Sequence, residues 1–377
     1  MIIEFKLKMK NSLQMNLDSF LLSKNKRKQF FYIDWNEKNP IAKWVLNKPK
    51  DLSFRATVRW TYIGDIIICC KNRENINDIE SPITEYLSKI NSKLFDEKRQ
   101  LLSFIKSHLQ KCIRRQKKIE ALISAKELLI LDKNEFMRRI CIIMFEDVKL
   151  KLYFVNFVWL MVACSKGYKL EEYHLDYIFK YVYDMTSENE FDCYNPDDER
   201  ITKNGISRFI DNVTNNKNIP EDKKDVLYCL GLRMSYGGMG GDLDMLCFYA
   251  QQYFIFFEKK ENSIKNYDNE LCKDINARYV FGLKFEKIDD FIYQGVDFHC
   301  FPGIIKDIKE DTEYKYSDEQ IKTCIWEYNS KINTRKDNTV DENILPKIKK
   351  IWEDIKDILF KHQKIILEMM LNKLKEK

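Results

Sequence analysis

Residues 101–147 read LLSFIKSHLQKCIRRQKKIEALISAKELLILDKNEFMRRICIIMFED, and the fold class turns on how their apolar positions are spaced. Leu101, Leu102, Ile105, Leu109, Cys112 and Ile113 recur at intervals of three and four, the period that lines one face of an α-helix. The same pattern predicts helices over 119–131, 134–145, 154–165 and 170–183. Upstream, Ser81-Pro82 supplies an N-cap followed by proline at the first helical position. Downstream, helical patterns cover 205–213, 221–232, 243–257 and 318–328, and Ile348, Ile351, Trp352, Ile355, Leu359 and His362 fall on one face of a last helix.

One region breaks the pattern. From Ala56 to Ile63, and again from Ile66 to Cys70, β-branched and aromatic residues flank Gly64-Asp65, which predicts two strands around a tight turn. The expected fold is therefore mainly α: a multi-helical body with a small N-terminal β element and a flexible basic arm. Residues 1–30 are expected to form the arm, 31–80 the β-containing element and 81–185 a helical domain. The acidic stretch 186–200, with Asn195-Pro196-Asp197-Asp198, is the expected linker, and 201–377 a second helical domain. No fixed-period repeat points to a solenoid.

The chain has 377 residues, 45% apolar and 32% charged, with 24 Phe, 20 Tyr and 6 Trp, which is too aromatic for a disordered polymer. Net charge is +6, but residues 1–60 alone carry 13 Lys/Arg against 5 Asp/Glu. A second cluster, 98–118, holds eight Lys/Arg and no acid. Two cationic patches on a near-neutral body suit a phosphate backbone, and they equally suit a solvated lysine face. Because Lys, Asn and Ile are abundant throughout, arginine is the more informative cation. The eleven cysteines show no CxxC spacing, so reduced thiols in an intracellular, nuclear or cytoplasmic, protein are expected. The most apolar run, from Leu152 to Cys164, contains Asn156 and is too short for a membrane span. MIIEFKLKMKN at the start lacks the features of a secretory signal, so no membrane partner is expected.

Within the arm, Gln14, Leu17, Phe20 and Leu21 are followed by Lys26, Arg27 and Lys28. The spacing resembles the PCNA-interacting peptide of replication and repair proteins, with Leu21 standing where a second aromatic is usual. The resemblance implies a sliding clamp as partner: one short helical turn would plug an apolar pocket with Leu17 and Phe20 while Gln14 hydrogen-bonds beside it. Packing of this segment on the body as a strand or helix is the alternative.

Residues 100–170 resemble the helical C-terminal region of the replication-associated recombination ATPases, relatives of clamp loaders. His108 to Arg115, Ala121, Ala125, Glu127 and the run from Phe136 to Asp147 carry the likeness. No GxxxxGK[ST] loop exists anywhere, so the resemblance implies a helical scaffold without the ATPase. Arg114, Arg115, Lys117 and Lys118 are candidate DNA contacts; Arg138 and Arg139 are also placed to pair with Glu135, Glu146 and Asp147.

Five of the 11 glycines lie between Gly231 and Gly241. Gly237, Gly238, Gly240 and Gly241, with Arg233, are candidate phosphate or nucleic-acid contacts, and Asp242 with Asp244 could hold a divalent cation such as Mg2+. A tight turn with Asp242 capping the next helix fits equally. Asp297 and His299, two apart, would share a face in a strand and form a carboxylate–imidazole pair, while a buried turn holding a satisfied histidine is the plainer reading. The segment from Ile325 to Arg335 ends in polar residues that could meet this turn.

These readings lead to an expected replication or repair accessory factor that binds a sliding clamp and DNA. The alternatives are a metal-dependent nuclease or glycosylase, with Asp242, Asp244, Asp297 and His299 as catalytic residues in one cleft, and a protein scaffold that touches no nucleic acid.

Overall fold

The computed structural model describes residues 30–60, 64–74, 83–92, 99–192, 201–202, 205–259, 264–265, 270–340 and 342–376. The strands are β1 (Phe30–Asp34), β2 (Lys43–Val45), β3 (Phe54–Trp60) and β4 (Gly64–Lys71). The helices are α1 (Thr84–Asn91), α2 (Arg99–Arg114), α3 (Lys118–Glu146), α4 (Phe154–Ser165), α5 (Glu172–Ser187) and α6 (Ile206–Asn215). They continue with α7 (Glu221–Ser235), α8 (Gly240–Glu258), α9 (Ala277–Gly282), α10 (Gly303–Asp311), α11 (Asp318–Ile325) and α12 (Leu345–Lys375). With 61% helix and one small sheet, the fold is mainly α.

The chain divides into two compact units that are discontinuous in sequence. The first takes 1–76, 154–166 and 194–264; the second takes 77–153, 167–193 and 265–377. The contiguous segments expected from the sequence differ from this division at two places: the expected second domain 201–377 is split, 265–377 falling in the unit of 77–153, and α4, inside the expected helical domain 81–185, belongs with the sheet. For α4 the physical reason is its composition. From Phe154 to Cys164 every residue of α4 is buried, so the helix has no polar stripe to give to water and must be enclosed.

In the first unit the sheet has the order β2-β1-β4-β3, with β1 parallel to β4 and the other pairs antiparallel. The β3–β4 hairpin expected from the sequence is present; β1 and β2 are additions. One sheet face carries Phe31, Ile33, Trp44, Val58, Trp60, Ile66 and Ile68, all buried. Phe31 and Trp44 stack there with centroids 4.5 Å apart. Trp159 of α4 lies over this face and donates its indole N–H to the carbonyls of Phe31 (3.1 Å) and Cys69 (3.2 Å). Asn156, the one polar side chain within that apolar run, accepts from the Ala42 N–H at 2.7 Å and donates to the Pro40 carbonyl at 2.8 Å. Its burial is thereby satisfied, and it fixes the chain leading into β2.

In the second unit α2 and α3 form a helical hairpin turned by Gln116, whose φ of 56° ends α2. The two helices expected over 119–131 and 134–145 are one element, α3, broken at Asp132 (φ −162°, ψ 101°). Asp132 Oδ1 accepts from the N–H groups of Asn134 (2.8 Å) and Glu135 (3.0 Å), so it is the N-cap of the second half. The helix expected over 318–328 becomes α11 followed by a π-helical turn, Trp326–Ser330. Asp297 to Cys300 form a turn and not a strand. Among the described residues no helix is long and apolar enough to cross a membrane.

Candidate functional site

Two groups of side chains carry chemistry, one in each unit. The first is the sheet face opposite α4. Strand pairing sets Arg55, Cys69, Tyr32 and Lys43 in a single row across β3, β4, β1 and β2. Arg55, Thr57 and Arg59 alternate with the inward Val58 and Trp60, and all three are exposed. Neither arginine makes a hydrogen bond or ion pair among the described residues. Tyr32 is half-buried, and its hydroxyl is pushed up to about 12 by burial, by the Asp34 charge and by the hydrogen bond to Asp34. Cys69 is fully buried in this row, and burial pushes its thiol up to about 11 against the pull of Arg55, so it is neutral and unreactive.

The second group is built on Asp297, which is fully buried in the turn after Val296. Its Oδ1 accepts from the His299 N–H at 2.9 Å. Its Oδ2 accepts from Lys111 Nζ of α2, from Ser330 Oγ at 2.7 Å and from His299 Nδ1 at 3.1 Å. Burial opposes ionisation of this carboxyl, but the His299 hydrogen bond and the Lys111 charge outweigh it and hold the group well below the usual carboxylate range. The carboxylate therefore fixes the Nδ1–H tautomer of His299, leaving the Nε2 lone pair free of any partner among the described residues. The His299 ring is 54% exposed, beside Phe298 (4.1 Å between centroids) and Trp326 (5.9 Å). Cys300 cannot serve as the nucleophile here: burial and the Asp297 charge push its thiol up to about 11. What the arrangement offers is one oriented imidazole able to accept or return a proton.

Sequence reasoning placed Asp297 with His299 but missed Lys111 and Ser330, which are 186 and 33 residues from Asp297. The polar tail after α11 does meet the turn, through Ser330. The other histidines are occupied. His108 Nε2 accepts from the Ile292 N–H at 3.0 Å, which makes Nδ1 the donor to Ser124 Oγ at 2.8 Å. His174 lies between Tyr168 OH and the Glu171 N–H, and His362 contacts Asp311.

The remaining candidates are placed as follows. Gln14, Leu17, Phe20, Leu21, Lys26, Arg27 and Lys28 lie outside the described residues. Arg114 is only 5% exposed, and its guanidinium reaches Asp147 at 2.5 Å, Glu146 at 2.8 Å and the Ser330 carbonyl at 2.7 Å. Those partners use Nε and both terminal nitrogens, so Arg114 stitches α2 to the end of α3 and does not face a phosphate. Arg115 is half-buried and donates to the Asn329 carbonyl. Lys117 is exposed, and Lys118 lies 5.0 Å over the Tyr183 ring. Arg138 is 4.0 Å from Glu135, the pairing weighed from the sequence.

Arg233 is 2% exposed and turned onto its own loop, donating to the Gly237 carbonyl at 2.7 Å. Gly237 has φ 73° and follows the C-cap Tyr236, so glycine is needed there to end α7. A Cβ at Gly240 or Gly241 would meet open space, so neither marks a close backbone approach. Asp242 lies in the first turn of α8, where a carboxylate favours the helix dipole, and the N-cap is Met239. Asp242 and Asp244 belong to the first unit and Asp297 and His299 to the second. Among the described residues no group of three or more His, Cys, Asp or Glu could hold a metal ion. Compared with protein-family models, with curated proteins and with solved structures, the chain finds no match.

Proposed function

We propose that this protein is a nucleic-acid-binding accessory factor of DNA replication or repair that docks on a sliding clamp. The observation that carries the nucleic-acid half is the pair Arg55 and Arg59, exposed on the edge strand β3 with neither guanidinium engaged among the described residues. Arginine offers five donors in a fork that matches phosphate oxygens, and an arginine without internal work is available to do so. Exposed Lys48 and Lys50 precede β3, and Lys26, Arg27 and Lys28 precede β1 in sequence. The clamp half is supported by the spacing of Gln14, Leu17, Phe20 and Leu21 alone.

Anisotropy of labelled DNA titrated with the full chain tests the first half. Affinity falls as salt rises, and Arg55→Ala with Arg59→Ala lowers the slope of log K against log salt by about two phosphate contacts. A response flat in salt refutes phosphate contact. Leu17→Ala with Phe20→Ala abolishes capture of the chain by its cognate clamp; unchanged capture refutes the docking peptide.

One observation favours a second reading. The Asp297-held imidazole of His299, with Nε2 turned outward, is a proton-transfer group suited to a DNA-processing enzyme. Incubation with labelled single-stranded, duplex and forked DNA plus magnesium or manganese, beside His299→Ala, decides it. No product, or product formed equally by the variant, leaves an accessory binder.

A further inference from the structure

We propose that the outward face of the four-stranded sheet takes single-stranded nucleic acid, stacking a base on Tyr32 between the cations Arg55 and Lys43; this deepens the nucleic-acid reading above and rests on it. Across the face, the row Arg55, Cys69, Tyr32, Lys43 places one aromatic ring between a guanidinium and an ammonium. Adjacent strands lie about 4.8 Å apart, so Lys43 flanks Tyr32 by one strand and Arg55 by two. The next row, Thr57, Ile67, Phe30 and Val45, is largely apolar, and beyond it Arg59 lies opposite Asp65. Phe30 and Cys69 are buried, so the accessible centre is the half-exposed Tyr32, Ile67 and Val45; with cations at the margins, it matches a strand whose bases turn inward and whose phosphates run along the rim.

Several features keep the surface open to such a ligand. Tyr32 is half-buried in β1, so part of its ring faces solvent while the strand holds it in place. Lys43 is 3.7 Å from Glu37, but both side chains are about half exposed, and a pair of that kind gives way readily to a phosphate. Lys43, Arg55, Arg59 and Lys71 outnumber Asp34 and Asp65 on this face, a surplus of positive charge that complements a polyanion. The opposite face is closed by Trp159 and the buried aromatics, whereas Arg55, Thr57, Arg59 and Lys43 on this one are exposed. Duplex is the poorer occupant because its bases are stacked within the helix, out of reach of a ring lying on a broad sheet.

The test uses the full chain and a labelled oligothymidylate of roughly 15 nucleotides, near the upper site size of a small platform. The wild type binds it more tightly than a duplex of equal length. Tyr32→Ala weakens it roughly 5- to 150-fold, the loss expected for one base–aromatic stack, with the salt slope unchanged. Tyr32→Phe retains affinity, and Tyr32→Leu, which keeps the apolar bulk, shows the loss of Tyr32→Ala if alanine disturbs the sheet. Equal affinity for duplex together with no effect at Tyr32 overturns the inference while leaving phosphate binding intact. Tighter binding of polyglutamate assigns the face to an acidic protein and also overturns it. Absence of salt-sensitive binding to either nucleic acid removes the underlying reading with it.

Discussion

Replacing Arg114 with methionine separates a structural arginine from a DNA-contacting one. The guanidinium is buried against Asp147, itself 1% exposed, and against Glu146, and Gln110 Nε2 donates to both carboxylates, at 2.9 and 2.7 Å. Methionine fills much of the volume but leaves two adjacent carboxylates with one amide between them. Breaking a buried pair from one side costs roughly 3–5 kcal/mol. Proton uptake sets an upper limit on the electrostatic part. Burial and the Asp147 charge already push the Glu146 carboxyl up despite Arg114, so Glu146 is the group that neutralises. Protonating a glutamate of ordinary pKa at pH 7 costs about 4 kcal/mol at about 1.4 kcal/mol per unit. Losing the hydrogen bond to the Ser330 carbonyl adds about 1 kcal/mol, so Arg114→Met should cost up to about 5 kcal/mol at pH 7. A carboxyl raised in the folded state binds its proton where the unfolded chain has released it. The deficit is therefore greatest at neutral pH and shrinks by about 1.4 kcal/mol per unit as pH falls toward 5. Urea unfolding of the full chain at pH 7 and pH 5 measures both, with Arg114→Lys, which keeps the charge but loses the fork, in between. A variant within about 1 kcal/mol of wild type at pH 7 that lowers the salt slope of DNA binding would refute the structural role.

Three further outcomes follow from individual contacts. Burial, with Lys111 adding, holds the His108 imidazole down to about 3, so between there and the ordinary histidine range the unfolded chain binds a proton the folded one does not. Wild-type stability should fall by up to about 1.4 kcal/mol per unit as pH drops below about 6, and His108→Gln should flatten that slope by about one proton in urea titrations. Gly295→Ala would set a Cβ 2.6 Å from His108 Cδ2 and 3.2 Å from His108 Cβ and Cγ, and should lower stability by about 1–3 kcal/mol in the same assay. Asp132→Ala removes the cap at the break in α3 and should cost about 1 kcal/mol, with Asp132→Asn recovering most of it.

Periodicity made the helices visible because each buries one stripe, and the break in α3 was visible because aspartate competes with the helix for backbone N–H groups. The strands β1 and β2 escaped notice for a different reason. β1 pairs in parallel with β4 across more than thirty residues, and β2 spans only three, so neither has a local turn to announce it. The helices α9 and α10, of 6 and 9 residues, are too short for a face to repeat. Likewise α4 was readable as a helix, while its enclosure with the sheet depends on Trp159 finding two strand carbonyls that sequence cannot locate.

The charged residues divide by the same physics. In a helix, every third or fourth position faces inward, so an arginine near the end of an amphipathic run can be taken into the core once carboxylates such as Asp147 and Glu146 arrive from another helix. Nothing local distinguishes it from a surface cation, which is why Arg114 looked available. In a strand the period is two, and inward and outward positions are tied to one another. If β3 slipped by one residue, Arg55 and Arg59 would enter the Trp159 side and Val58 and Trp60 would face water, at a cost no two guanidiniums could offset. The burial of Trp60 thus holds Arg59 outward, and pairing with β4 carries that constraint across to Tyr32. The cations of the sheet face are exposed because the core requires it, so a substitution there changes the surface without disturbing the register that presents it.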